Sequence, residues 1–162
     1  MDGTDQAANV DVRMSPTSNL IENSSFETGD LTSWTVAGSA EAVNVSNEIQ
    51  NIRDGKYALH YWLNGPFEFT VSQAITGLEN GTNTLNAWIQ GRGGEKTLQM
   101  FASDYGGETL TLDINNAGWQ QWQNPTIGGF TVTNGKCTIG LKVVSDGGSW
   151  AFFDEVVLIR NK

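Results

Sequence analysis

Short runs in which apolar and polar residues alternate dominate the chain, each bounded by Gly, Asn, Asp, Ser or Pro, and helical spacing is scarce. A period of two between turn signals predicts an all-β fold, an antiparallel sandwich or barrel. The predicted strands are "NLI" with "SFE", "TSWTVAG", "EAVNVS", "YALHYWL", "FEFTVSQAI", "NTLNAWIQGR", "TLQMFAS", "TLTLDI", "WQQWQN", "GGFTVT", "CTIGLKVVS" and "AFFDEVVLIR". Asn64-Gly65, Asn80-Gly81 and Asn134-Gly135 mark bends, because such pairs supply the positive φ of tight turns.

Parity separates the faces of two strands. In "NTLNAWIQ", Leu85, Ala87 and Ile89 face one way, and Thr84, Asn86, Trp88 and Gln90 the other. In "YALHYWL", Tyr57, Leu59, Tyr61 and Leu63 oppose Ala58, His60 and Trp62. Each sheet of a sandwich needs one apolar face. The second set therefore predicts an outer face that carries aromatic rings among polar side chains, a feature that folding does not require.

Length and charge narrow the partners. A chain of 162 residues suits one domain with a real core. Its net charge of −9 argues against nucleic acid and against an anionic membrane surface, and leaves neutral ligands and cations compatible. No apolar run reaches membrane-spanning length. Residues 1–17 are polar, lack the layout of a signal peptide and are read as a linker or N-terminal arm, with 18–162 as the β-sandwich module. The single cysteine, Cys137, shares parity with Ile139, Leu141 and Val143 and is read as a core residue.

Two carboxylates stand in apolar surroundings. Glu27 follows Phe26 and precedes Trp34, with Phe26 as a plug and Trp34 as a wall, and Asp154 follows Phe152 and Phe153. Buried together they would repel and desolvate badly. The alternatives that relieve this are a shared Ca²⁺ where the chain ends meet, solvent exposure, or pairing with a cation such as Lys56 or Arg160.

The segments "NLIENSSFETGDLTSWT", "GKYALHYW", "GTNTLNAWIQG", "FTVTNGKCTIGLKV" and "GGSWAFFDEVVLIR" together resemble calcium-containing β-sandwich carbohydrate-binding modules. The combination of "YALHYW" and "NAWIQGRGG" is most similar to the family 61 modules attached to endo-β-1,4-galactanases. The resemblance spans residues 18–161 and implies an all-β, antiparallel two-sheet β-sandwich of jelly-roll, galactose-binding-domain-like type. It implies a non-catalytic module that binds β-1,4-galactan or galacto-oligosaccharides and is covalently linked to a secreted glycoside hydrolase. It also implies a structural Ca²⁺ held by Glu27 and Asp154, with backbone carbonyls from Lys56 and from Asn23 or Ser25.

Sugar binding has a simple recipe: a pyranose C–H face stacks on an aromatic plane while its hydroxyls pair with planar polar groups. The residues that fit are His60, Trp62, Trp88, Gln90, Arg92, Trp119 and Trp150, with Tyr105, Trp122, Asn86 and Asp146 behind them. Trp34 is read as core. Xylan or β-glucan is the alternative ligand class. A small jelly-roll hydrolase is the alternative activity, but Glu68 lacks the second carboxylate such chemistry needs. There is also no Gly-x-Ser-x-Gly elbow. A purely structural joining module would need no exposed aromatic row.

Overall fold

The computed structural model describes residues 19–161; the arm read at 1–17 lies outside them. Among the described residues, eleven strands form two antiparallel sheets: β1 (Thr35–Gly38), β2 (Val43–Ser46), β3 (Ala58–Trp62), β4 (Phe67–Ile75), β5 (Gly81–Gly91), β6 (Thr97–Ser103), β7 (Leu110–Asp113), β8 (Gly118–Gln123), β9 (Thr126–Val132), β10 (Cys137–Ser145) and β11 (Trp150–Arg160). One sheet runs β1-β4-β10-β6-β7. The other runs β2-β3-β11-β5-β8, with β9 also paired to β5. Between them lie the residues that parity assigned inward, among them Leu59, Tyr61, Leu85, Ala87 and Ile89, facing Phe69, Val71, Met100, Ile139, Leu141 and Val143, all buried. Gly140 lets β4, β10 and β6 close up. A Cβ there would stand 2.2 Å from the Val71 carbonyl oxygen and 2.8 Å from the Phe101 ring.

Two expectations change. "NLI" and "SFE" are not strands, because positive φ at Asn23 (49°) and Phe26 (60°) breaks the extended run into turns. The segment nevertheless lies along β11: Leu20 N–H donates to the Leu158 carbonyl and Val156 N–H to the Ser24 carbonyl, each at 3.0 Å. The first strand proper, β1, pairs with β4 in the other sheet. Second, β11 carries a bulge between Asp154 and Val157, with Glu155 at φ 50°. The inward set therefore shifts from Ala151 and Phe153 to Val156 and Leu158.

Cys137 lies in the core as read, and burial pushes its thiol up to about 12. The thiolate that reacts is therefore scarce in the folded protein at pH 8. A thiol reagent is expected to label the native protein negligibly over hours and the guanidinium-unfolded protein stoichiometrically. Rapid native labelling would contradict this packing.

Candidate functional site

Three rows of side chains cross the outer face of the six-stranded sheet. Trp62 pairs with Trp150 across β3 and β11, and Arg92 follows on, its N–H bonded to the Trp150 carbonyl at 3.1 Å. Next come His60, Phe152 and Gln90 in register. The third row sets Asp154 beside Trp88. The first row is open: Trp62 is 46% exposed, and Trp150 is half-buried against the edge of Phe152. Arg92 is exposed and donates through Nη1 to the Gly148 carbonyl at 3.0 Å. His60 packs against Phe152 with ring centroids 4.7 Å apart and the planes tilted by 35°. Burial lowers its pKa against the opposing pull of Glu48, which favours the neutral ring. With Nδ1 3.1 Å from Asn44 Oδ1, the ring has Nε2 left as an acceptor.

The loop between β2 and β3 lies across the rest of this face. Its one-turn 3₁₀ helix, Ile49–Asn51, reaches the edge strand β8, where Trp119 Nε1 donates to Asn51 Oδ1 at 2.7 Å. Trp119 is 57% exposed and forms a rim opposite Trp62 and Trp150. Gln90 is fully buried beneath the loop. Its Oε1 accepts Gln120 N–H at 2.7 Å and its Nε2 donates to the Asn51 carbonyl at 3.4 Å, so it braces the wall and does not face solvent. Trp88 points away from the core as parity required, but the Arg53 guanidinium covers its ring at 3.7 Å. Tyr105 is buried against Phe130, with its hydroxyl on the Glu108 carbonyl, far in the fold from this face. Trp122 is half-buried on β8, and Trp34 is core, stacked on Phe26 at 5.2 Å. Asn44, Asn51 and Phe152 complete the face. None stood out in the sequence, because each acts through a partner distant along the chain.

The same loop continues into an acidic pocket. Asp154 is fully buried. Its Oδ2 accepts Arg53 and Asp54 N–H at 3.1 and 3.0 Å, and its Oδ1 accepts Glu155 N–H at 2.8 Å. Burial pushes its carboxyl up to about 7 against those three bonds. Glu27 accepts Lys56 and Tyr57 N–H at 2.9 and 3.0 Å, its carboxyl lying where a Cβ on Gly55 would fall, 2.4 Å away. The expectation that Glu27 is held close holds for its carboxylate, although the residue is exposed. Arg53 does not neutralise Asp154; its Nε lies 3.5 Å from Glu155. Among the described residues no three His, Cys, Asp or Glu side chains gather as a ready cation shell. An ion here would therefore need backbone carbonyls. Asn23 offers little, since its carbonyl already accepts Phe26 N–H and the Trp34 indole, and its amide bonds Asp30, Thr32 and Thr28. Ser25 and Asp54 line the pocket with Glu27. Carboxylate and carbonyl oxygens are the ligand atoms at hand, and no basic side chain bonds to Asp154, a chemistry that suits a hard divalent cation.

No protein-family model matches the sequence. The solved structure of TmCBM61 in complex with β-1,4-galactotriose is similar over 90% of this chain and all of its own, at 33% identity and a TM-score of 0.85. The CBM22-1 xylan-binding domain of Paenibacillus barcinonensis Xyn10C shares the fold, with a TM-score of 0.59 and 19% identity over 90% of this chain and 96% of its own. A 1,6-alpha-glucosyltransferase of Sporosarcina globispora is 24% identical over 150 residues. That match takes in 85% of this chain but only 12% of the glucosyltransferase.

Proposed function

This chain belongs to carbohydrate-binding module family 61, and we propose that it is a non-catalytic module that binds β-1,4-galactan or galacto-oligosaccharides on the outer face of its six-stranded sheet. The observation that carries this reading is the pair of exposed indoles, Trp62 on β3 and Trp119 on the edge strand β8, on the same sheet as the His60–Phe152–Gln90 row. Trp62, Trp150 and Trp119 would stack on the C–H faces of galactose units. Arg92, His60 Nε2 and Asn44 would pair with hydroxyls. β-Galactose carries O4 axially, which leaves one ring face with a contiguous C–H patch, and a bent chain suits walls on two sides better than one flat platform. The titration that tests it follows tryptophan fluorescence against galactan, xylan, mannan and β-glucan oligosaccharides. Saturable change with β-1,4-galactotriose is expected. A response to xylan alone would move the specificity elsewhere.

The module would serve a covalently linked glycoside hydrolase outside the cell, raising local substrate concentration. That this chain matches only 12% of a much larger sugar-transferring protein supports such an arrangement. We also propose a structural Ca²⁺ at the acidic pocket, held by Glu27 and Asp154 with the Lys56 and Ser25 carbonyls. When bound it would supply positive charge to a buried carboxylate and tie the 53–57 segment to β11.

A further inference from the structure

We infer that Asn51 is a positioning residue for the glycan groove, fixing the plane of Trp119; this rests on reading Trp119 as one wall of that groove. Trp119 follows Gly118 at the start of an edge strand and is more than half exposed. An indole so placed has few neighbours to hold its rotamer, and a wall that must be ordered on binding costs affinity. Its one polar atom, Nε1, is claimed by Asn51 Oδ1 at 2.7 Å, across 68 positions of sequence.

Asn51 is itself rigidly seated. It closes the 3₁₀ turn, is 9% exposed, and its carbonyl receives Gln90 Nε2. Gln90 accepts Gln120 N–H, and Gln120 has a positive φ of 62°. Gln120 Nε2 returns to the Gln50 carbonyl at 3.1 Å. Two residues of the turn thus hold two consecutive residues of β8, and a buried amide ties both sides to β5. Burying a glutamine in this way is unfavourable unless its bonds are made. An apolar residue would fill the space but leave the Gln120 N–H and the Asn51 carbonyl unpaired.

Asn51→Ala, Asn51→Asp, Trp119→Ala and the Ala double variant test this, with the Nε1–H resonance of Trp119 identified by its loss in Trp119→Ala. In Asn51→Ala that resonance is expected to move and its exchange with solvent to quicken about tenfold, while affinity for β-1,4-galactotriose falls about threefold to fivefold. Asn51→Asp keeps the acceptor oxygen and is expected to restore both. In the Trp119→Ala background, adding Asn51→Ala is expected to change affinity no further. An unmoved resonance overturns the inference. So does a further loss of affinity in that background, which would make Asn51 a direct sugar contact. Should Trp119→Ala bind like the parent, the groove reading fails, while the resonance still judges whether Asn51 holds the ring.

Discussion

Trp62→Ala and Trp119→Ala are each expected to lower affinity for β-1,4-galactotriose about tenfold, ~1.4 kcal/mol, and together to remove measurable binding. Trp62→Ala should melt within about 0.5 kcal/mol of the parent, since its ring is exposed and the core beneath is closed by Leu59, Tyr61 and Ile89, whereas Trp119→Ala should cost about 1 kcal/mol because it takes the donor from the buried Asn51 Oδ1. Trp88→Ala provides the contrast. Its ring lies under the Arg53 guanidinium, so the loss is of packing and of a cation–π contact, and stability falls by roughly 2 kcal/mol. Binding should then be affected only as far as the β2–β3 loop loosens. Isothermal titration and thermal melting on the same samples separate the two effects. The assignment fails if Trp88→Ala abolishes binding in a protein of unchanged melting point while Trp62→Ala binds normally.

The contrast between these tryptophans shows how far alternation in a sequence reaches. Parity put Trp62 and Trp88 on the same outer face, and both do point away from the core. Parity describes a strand's two faces and nothing about what another segment lays on them. The β2–β3 loop, "NEIQNIRDGKY", has no apolar period that would place it. Yet this loop covers Trp88, buries Gln90 and leaves Trp62 open. The bounds of the long strands β4, β6 and β10 were legible because each buries one face and largely alternates, although Gln73 on β4 and Gly140 on β10 depart from the apolar–polar pattern. The segment before β1 was misread because left-handed backbone at Asn23 and Phe26 is not a feature that side-chain pattern reports, Phe least of all. The bulge at Glu155 was invisible for the same reason. It matters because it aligns Asp154 with the outer face while Val156 and Leu158 return to the core.

Removing calcium is expected to produce the largest loss of stability. Asp154 sits wholly out of solvent, and the cost of its charge there is expressed in a carboxyl pushed up to about 7 despite three backbone N–H donors. An ion that binds only the folded chain stabilises it by about 4 kcal/mol at a thousandfold excess over its Kd. For a domain of this size that corresponds to roughly 10 °C or more in Tm. Melting in excess chelator should fall by that amount and recover on adding Ca²⁺. Glu27→Gln should show a much smaller chelator effect, because it keeps the bonds from Lys56 and Tyr57 N–H to one amide oxygen at best and gives up the charge. Asp154→Asn should lose the effect almost entirely. Its amide can still accept from Arg53 and Asp54 N–H, so a folded protein insensitive to calcium is the expected result. Glycan affinity gives an independent measure of the same ion. The 49–57 segment reaches Asp154 and Glu27 at one end and the Trp119 indole at the other, so chelation should weaken galactotriose binding in the parent and leave Asp154→Asn unchanged. A parent protein whose melting point does not respond to chelator would leave Asp154 held by its three N–H donors alone and remove the ion from this account.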